Sequence, residues 1–167
     1  IFVFDQILWE GFTPGIYHAA PSVLQMLDDI QASFLDSLGL SDEEALLSYN
    51  LAPLGTRRDM AMLGLLHRVS LKAAPVSLLS LFPSSTATLH SFMAPGWLHC
   101  RQLADPIEPG HGIMMRRSIF GLVAVYNRLP KHVAEKCSVT SFQRATQGLL
   151  KDAAGSPSWR LIFRRVC

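Results

Sequence analysis

Apolar residues recur every three or four positions between Pro21 and Gly39, and this is the period of an amphipathic α-helix. Proline suits the first turn of a helix, and glycine is the residue type that most often follows the last turn. The pattern therefore predicts a helix that starts at Pro21 and is ended by Gly39. Its apolar positions are Val23, Leu24, Leu27, Ile30, Phe34, Leu35 and Leu38.

Capping residues mark two further helices. Ser41 and Glu44 have the S-x-x-E spacing of a capping box, in which the hydroxyl and the carboxylate each accept a backbone N–H, so a short helix is expected through Tyr49. After a Pro-Gly break, Thr56 is predicted to be the N-cap of a helix that reaches about Ser70. Because that segment is apolar on nearly every side, we expect it in the core; its apolar residues are Met60, Met62, Leu63, Leu65, Leu66 and Val69.

The second half of the chain contains three more helix patterns. Residues 75–82 favour a short helix. The apolar stretch that starts at Ser118 favours a helix over a strand because it is about twelve residues long, and Pro130 stops it. Thr140 and Gln143 repeat the capping-box spacing and predict a last helix that ends near Gly155.

The fold class that follows is mainly α, with several short helices joined by Pro/Gly-rich loops and room for one or two short strands. Residues 84–111 have several prolines and glycines and no sustained period, so they predict a loop with a short strand near 89–93. We expect one helical domain over residues 1–155, with an irregular loop at about 84–115. A basic and aromatic tail, residues 156–167, follows it.

Composition limits where the chain can act. Apolar residues make up 49% of it and charged residues only 17%, against about 25% in a typical soluble domain, so part of the surface is expected to meet a partner. The longest nearly uncharged apolar run, residues 73–83, is about half the length of a membrane span. The three cysteines have no C-x-x-C spacing and favour a reducing compartment. Because the chain starts at Ile1 rather than Met, we expect it to be a piece of a longer product or a processed form.

Charge is distributed unevenly along the chain. Residues 1–54 contain eight acidic residues and no lysine or arginine. The remaining residues contain all fifteen basic residues and five acidic ones, a net charge of +10. Such a distribution can steer an anionic partner toward the basic part, and a basic face that is only solvated is the alternative.

Several short motifs resemble the helical region that follows the polymerase core in non-LTR, LINE-like retrotransposon reverse transcriptases, which is the thumb and the segment after it. The resemblance rests on the order and spacing of these motifs rather than on any one of them, and together they span most of the chain. They are Gly11-Phe12-Thr13-Pro14-Gly15-Ile16-Tyr17-His18-Ala19, Leu24-x-x-Leu27-Asp28-x-Ile30-Gln31-x-x-Phe34-Leu35, Leu51-Ala52-Pro53-Leu54-x-x-Arg57-Arg58-Asp59-x-Ala61-Met62-Leu63-x-Leu65-Leu66-His67-Arg68, Arg116-Arg117-Ser118-Ile119-Phe120-Gly121-Leu122, Tyr126-Asn127-x-Leu129-Pro130 and Ser138-Val139-x-x-Phe142-Gln143.

The resemblance implies a thumb-like, non-catalytic segment that contacts a nucleic-acid duplex beside a fingers–palm polymerase domain. A polymerase needs carboxylates that hold two Mg²⁺ ions, and the hairpin that normally bears them is missing from this sequence. The one aspartate pair, Asp28 and Asp29, falls inside the first helix pattern and is expected on its solvated face. We therefore expect no catalytic activity and no cofactor.

Five arginines are the candidate phosphate contacts, because a guanidinium can bind two phosphate oxygens at once and phosphate contacts set position without reading bases. They are Arg57, Arg58, Arg68, Arg116 and Arg117. One alternative is that Arg57 and Arg58 pair with Asp59 or with the acidic first third and hold helices together. The alternative function is a structural or accessory subunit docked among neighbouring protein subunits in a larger assembly, including a membrane-associated one, with no nucleic-acid role.

Other kinds of site have little support in the sequence. His99, Cys100 and His111 do not have the spacing of a structural zinc site and are only three ligands, so no metal is expected. No G-x-S-x-G motif is present to activate a serine. The glycines match neither G-x-x-x-x-G-K nor G-x-G-x-x-G, so no phosphate-cradling loop is expected.

Overall fold

The computed structural model describes residues 15–85, 99–107, 115–156, 159 and 162–163. Within them the fold is mainly helical, as the sequence predicts, and the longer helices are α1 (Pro21–Ser37), α2 (Asp42–Tyr49), α3 (Leu54–Ser70) and α7 (Val139–Ala153). Shorter helical segments are α4 (Val76–Leu81), a 3-10 helix (Ile119–Leu122), α5 (Val123–Asn127) and α6 (Lys131–Ala134). Among these helices none has both the length and the apolar composition needed to cross a bilayer.

The ends of α1 and α2 follow the sequence signals. Pro21 occupies the first turn of α1, and Gly39 has a φ of +64° after its last turn. There the amide of Gly39 donates to Asp36 O and the amide of Leu40 donates to Leu35 O, which is the Schellman arrangement that terminates many helices. The predicted capping box of Ser41 and Glu44 is present, and both of its hydrogen bonds form at the start of α2.

Two predicted helix starts are wrong, by three residues in α3 and by two residues in α7. The amide of Arg57 donates to Pro53 O at 3.0 Å, so α3 begins at Leu54 and Thr56 lies in its first turn rather than at its N-cap. In α7 the reciprocal cap joins Ser138 and Ser141, whose backbone amides each donate to the other's hydroxyl, instead of Thr140 and Gln143. In α7 the cap thus lies two positions before Thr140, and its hydrogen bonds satisfy backbone groups of the first turn.

The helix expected after Ser118 is confirmed, although its first turn is a 3-10 helix rather than an α-helix. The hydroxyl of Ser118 accepts the amide of Phe120 at 3.2 Å and starts a tight 3-10 turn, which passes into α5 only at Val123. Pro130 ends this segment as expected and is also the N-cap of α6, which the sequence analysis does not predict.

The irregular region has one isolated antiparallel bridge, between Ser84 and Leu103, among the described residues. The amides of Ser85 and Ala104 donate across it to Gln102 O and Pro83 O. The strand expected near 89–93 lies outside the described residues, as does most of the tail after residue 156.

Contacts divide the chain into two compact units. Unit 1 comprises residues 1–61 and 147–163, and unit 2 comprises residues 62–146 and 164–167. Among the described residues, the core of unit 1 includes buried side chains from α1, α2, α3, α7 and the segments beside them: Tyr17, Leu35, Ala45, Leu46, Ala52, Met60, Leu150, Trp159 and Phe163. The core of unit 2 includes Met62, Leu63, Leu66, Val69, Phe82, Leu103, Leu122, Val123, Tyr126, Val133 and Phe142. The one-domain boundaries proposed from the sequence stay a prediction.

Candidate nucleic-acid interface

The five candidate arginines are divided between the two units. Arg57 and Arg58 lie in the first turns of α3 and belong to unit 1, whereas Arg68 lies in the last turn of α3 and belongs to unit 2. Arg116 and Arg117 come just before the 3-10 helix of unit 2. Arg68 and Arg117 are exposed, Arg57 and Arg116 are half-buried, and Arg58 is buried.

Arg58 forms a bidentate ion pair with Asp28 of α1. Its Nη1 and Nη2 each lie 2.9 Å from one carboxylate oxygen. The arginine side chain is 6% exposed and the aspartate side chain 34% exposed. The guanidinium is therefore engaged in holding α3 to α1 inside unit 1, which leaves it poorly placed to reach a phosphate. We leave Arg58 out of the proposed interface.

This ion pair corrects one expectation about α1. Asp29 is exposed and accepts a hydrogen bond from Gln25 at 2.8 Å, as a residue of a solvated face should. Asp28 is instead half-buried against Arg58, so its assignment to the solvated face is wrong. The pair confirms for Arg58 the alternative that it binds the acidic first third and holds helices together. Sequence spacing could not identify Asp28 as the partner, because the two residues are thirty positions apart and on different helices.

Arg58→Ala is expected to lower the free energy of unfolding by about 1.5 kcal/mol. Removing one partner of a fully buried pair costs about 3–5 kcal/mol, but Asp28 is one-third exposed and can regain water. Urea denaturation of the full chain measures the change. A double-mutant cycle with Asp28→Ala should give a coupling energy near the same value; strictly additive single effects would contradict a direct interaction.

Unit 2 concentrates positive charge. Its residues 62–146 contain nine lysines and arginines but only three acidic residues, a net charge of +6. Residues 1–61 and 147–163, which form unit 1, contain ten acidic residues and four basic ones. Exposed basic side chains of unit 2 are Arg68, Lys72, Arg117, Lys131 and Arg144.

The segment that carries Arg116 and Arg117 is held by short-range backbone contacts. Both the amide and the hydroxyl of Ser118 donate to Met115 O, at 3.1 and 2.6 Å. A Cβ on Gly121 would lie 2.0 Å from Arg116 O, so only a glycine lets this carbonyl approach. The 3-10 helix thus fixes the backbone from which the two arginines project.

A buried polar cluster in unit 2 joins α3, α5 and α7, and sequence analysis missed it. His67 and Tyr126 are both fully buried, and His67 stacks on Phe142 with ring centroids 4.1 Å apart. The Nε2–H of His67 donates to Lys136 O at 2.9 Å, because a carbonyl can only accept. In the neutral ring Nδ1 is then an acceptor, and it lies 3.0 Å from the Tyr126 hydroxyl.

The same tyrosine hydroxyl lies 2.8 Å from Ser70 Oγ and can donate to it instead. The Ser70 hydroxyl in turn donates to His67 O. Burial lowers the pKa of His67 to about 4, with a smaller opposing effect of the hydrogen bond to Lys136 O. Burial also raises the pKa of Tyr126 to about 12. Because both side chains are fully buried, the cluster gives a substrate no access to either ring and serves the fold.

Both ring nitrogens of His99 are occupied. Its Nε2–H donates to Tyr126 O at 3.1 Å, and its Nδ1 accepts the amide of Arg101 at 3.2 Å. A zinc ion would have to replace one of these hydrogen bonds. Across the residues that the structure describes, no group of three or more His, Cys, Asp or Glu side chains is arranged to hold a metal ion, and His111 lies outside those residues.

The geometry thus offers exposed cations on unit 2, an ion pair inside unit 1 and a buried cluster that stabilises the fold. Comparisons of this chain with protein-family models, with curated proteins and with solved structures find no match.

Proposed function

We propose that the chain is a non-catalytic, thumb-like nucleic-acid-binding segment, related to retroelement reverse transcriptases, that contacts duplex phosphates through unit 2. The observation that carries the proposal is the concentration of positive charge there, nine basic residues against three acidic ones over residues 62–146. Phosphate contacts provide most of the affinity of sequence-independent binding and need exposed cations rather than a pocket. Arg68, Lys72, Arg117, Lys131 and Arg144 have that exposure.

The acidic unit 1 complements this assignment. Its residues carry a net charge of −6, so its surface repels a phosphate backbone while unit 2 attracts one. The duplex is therefore expected to contact unit 2 alone. The change from acidic to basic residues along the chain, and the resemblance to the thumb region of retroelement reverse transcriptases, support a nucleic-acid duplex as the partner.

Arg68→Ala combined with Arg117→Ala is expected to weaken binding of the full chain to a labelled RNA–DNA hybrid several-fold. Each phosphate contact that is lost should also lower the slope of log affinity against log salt by about one. Fluorescence anisotropy across a salt series measures both quantities. The matched control is Lys151→Ala, which removes one positive charge from unit 1. It should change neither the affinity for the hybrid nor the salt slope.

The result that contradicts the proposal is a folded chain that does not bind the hybrid at low salt, or that binds it without salt dependence. The second candidate function, a structural or accessory subunit among neighbouring proteins, would then be favoured. A specific observation supports it: α1 exposes a row of large apolar side chains.

A further inference from the structure

Helix α1 has an apolar face that the described residues of unit 1 leave exposed. Val23 is 47% exposed, Met26 and Ile30 are 65% exposed, Phe34 is 54% exposed and Leu38, just after the helix, is 55% exposed. Spacing of three or four residues places all five side chains on one side of the helix. Single exposed apolar residues are common, but a continuous row of five is typical of an interaction surface.

Unit 1 uses a different side of α1. Leu35 is 2% exposed, Asp28 pairs with Arg58, and the Gln31 amide donates to Ala52 O at 3.1 Å. These three residues attach the helix to α3 and to the segment before it. The row from Val23 to Leu38 is thus a second apolar side, distinct from the one that stabilises the unit.

The length of this row fits a helical partner. Residues 23–38 extend about 22 Å along a helix axis, or about four turns. A row of side chains on one helix leaves grooves that accept the side chains of another helix at an interaxial distance of about 8–10 Å. Recognition of this kind needs apolar anchors at i, i+3 or i+4, and i+7 on the partner.

The charges beside the row select the partner. Asp29 and Asp36 are exposed, and their spacing of seven residues puts both on the same side of α1, with Asp29 three positions after Met26. Helix α1 contains no lysine or arginine, and α2 opens with Asp42, Glu43 and Glu44. A second copy of the chain would bring two acidic helices together, and an anionic lipid surface would be repelled.

We propose that the exposed face of α1 binds an amphipathic helix of another protein, about four turns long, whose apolar row is bordered by lysine or arginine. Apolar burial supplies the affinity, and the acidic side chains of α1 supply the preference for a basic partner. This surface is separate from the cations assigned to nucleic acid, so the two proposals can fail independently.

The test is an anisotropy titration of the full chain with two labelled synthetic peptides of about 18 residues that share one leucine row. One peptide has arginines along the border of the row and the other has glutamates. The arginine peptide should bind at least tenfold more tightly at low salt, and the difference should shrink in high salt as charges are screened. Ile30→Ser combined with Phe34→Ser should weaken its binding at least tenfold.

A matched control removes exposed apolar side chains elsewhere. Val76 and Leu81 of α4 are 81% and 50% exposed, so Val76→Ser with Leu81→Ser should leave peptide binding unchanged. Circular dichroism and thermal melting confirm that both double variants fold. The Ile30 and Phe34 variant should still bind the RNA–DNA hybrid like the unaltered chain, which separates this test from the nucleic-acid proposal.

The docking proposal is overturned if the two peptides bind with equal affinity or if the arginine peptide does not bind. It is also overturned if the Ile30 and Phe34 substitutions leave binding of the arginine peptide unchanged, or if the Val76 and Leu81 substitutions abolish that binding as well. Sedimentation velocity and flotation with zwitterionic vesicles test the other occupants. If the chain self-associates and the α1 substitutions abolish this, the face binds a second copy instead. If the chain binds vesicles and the α1 substitutions abolish this, the face binds lipid instead.

Discussion

Gly121→Ala is expected to destabilise unit 2 by about 4 kcal/mol, at the upper end of single-substitution effects. The added Cβ would lie 2.0 Å from Arg116 O and 2.7 Å from its carbonyl carbon. Both are backbone atoms, so a side-chain rotation cannot relieve the clash. The 3-10 helix and the Arg116-Arg117 segment must move apart, which disrupts the packing of Ile119 and Leu122 in the core. Urea denaturation of the full chain measures the loss.

Gly148→Ala is the matched control for this experiment. A Cβ at Gly148, inside α7, would meet nothing within 4 Å. Alanine is the better helix former by about 0.5–1 kcal/mol, so this variant is expected to be slightly more stable. If both alanine variants change stability by similar amounts, the close approach at Gly121 is not a constraint. If Gly121→Ala folds, its weaker binding to the hybrid would show that the 3-10 helix positions Arg116 and Arg117.

Acidification is expected to cost the chain about 3 kcal/mol through His67 alone as the pH falls from above 6.5 to about 4. A histidine in the unfolded chain has a pKa near 6.5, whereas burial lowers the pKa of His67 to about 4 in the fold. Between these values the unfolded state binds more protons, so stability is complete above about 6.5 and decreases as the pH falls. Burial lowers the pKa of His99 as well, in the same direction.

Urea denaturation at a series of pH values measures this dependence. His67→Gln should reduce the slope of the unfolding free energy against pH between pH 6.5 and 5. The variant itself is expected to be less stable because it loses the stacking on Phe142. His132→Gln, at an exposed histidine, is the matched substitution control. A slope that is the same in all three proteins would contradict a buried, neutral His67. Below about pH 5 the hydrogen bonds of Ser41, which lower the pKa of Glu44, contribute to acid sensitivity too.

Helix ends were predictable where a signal lies within a few residues of its partner. The capping box of Ser41 and Glu44 and the termination at Gly39 form as expected, because both depend on the first or last turn alone. Thr140 failed as a cap because Ser138 and Ser141 form the reciprocal cap two positions earlier, and Thr56 failed because α3 already begins at Leu54. Local spacing does not rank two such caps, since the tertiary contacts of the helix select between them.

The candidate site was predictable only in part. The concentration of basic residues after residue 54 is a property of composition, and unit 2 retains it. The five arginines have identical chemistry in the sequence, yet Arg58 is buried against Asp28 while Arg68 and Arg117 are exposed. The His67 cluster had no sequence signal, because its partners Tyr126 and Lys136 lie 59 and 69 positions away from His67.

The mainly helical fold class, most helices and the opposite charges of the two parts of the chain follow from local sequence, because helix period, capping and charge depend on residues close together. Helix packing determines which charges are paired, which histidines are buried and which apolar side of α1 is exposed. Each of these depends on residues tens of positions apart that meet when helices pack. The amphipathic pattern of α1 predicts an apolar stripe, and packing determines how much of that stripe the chain covers for itself.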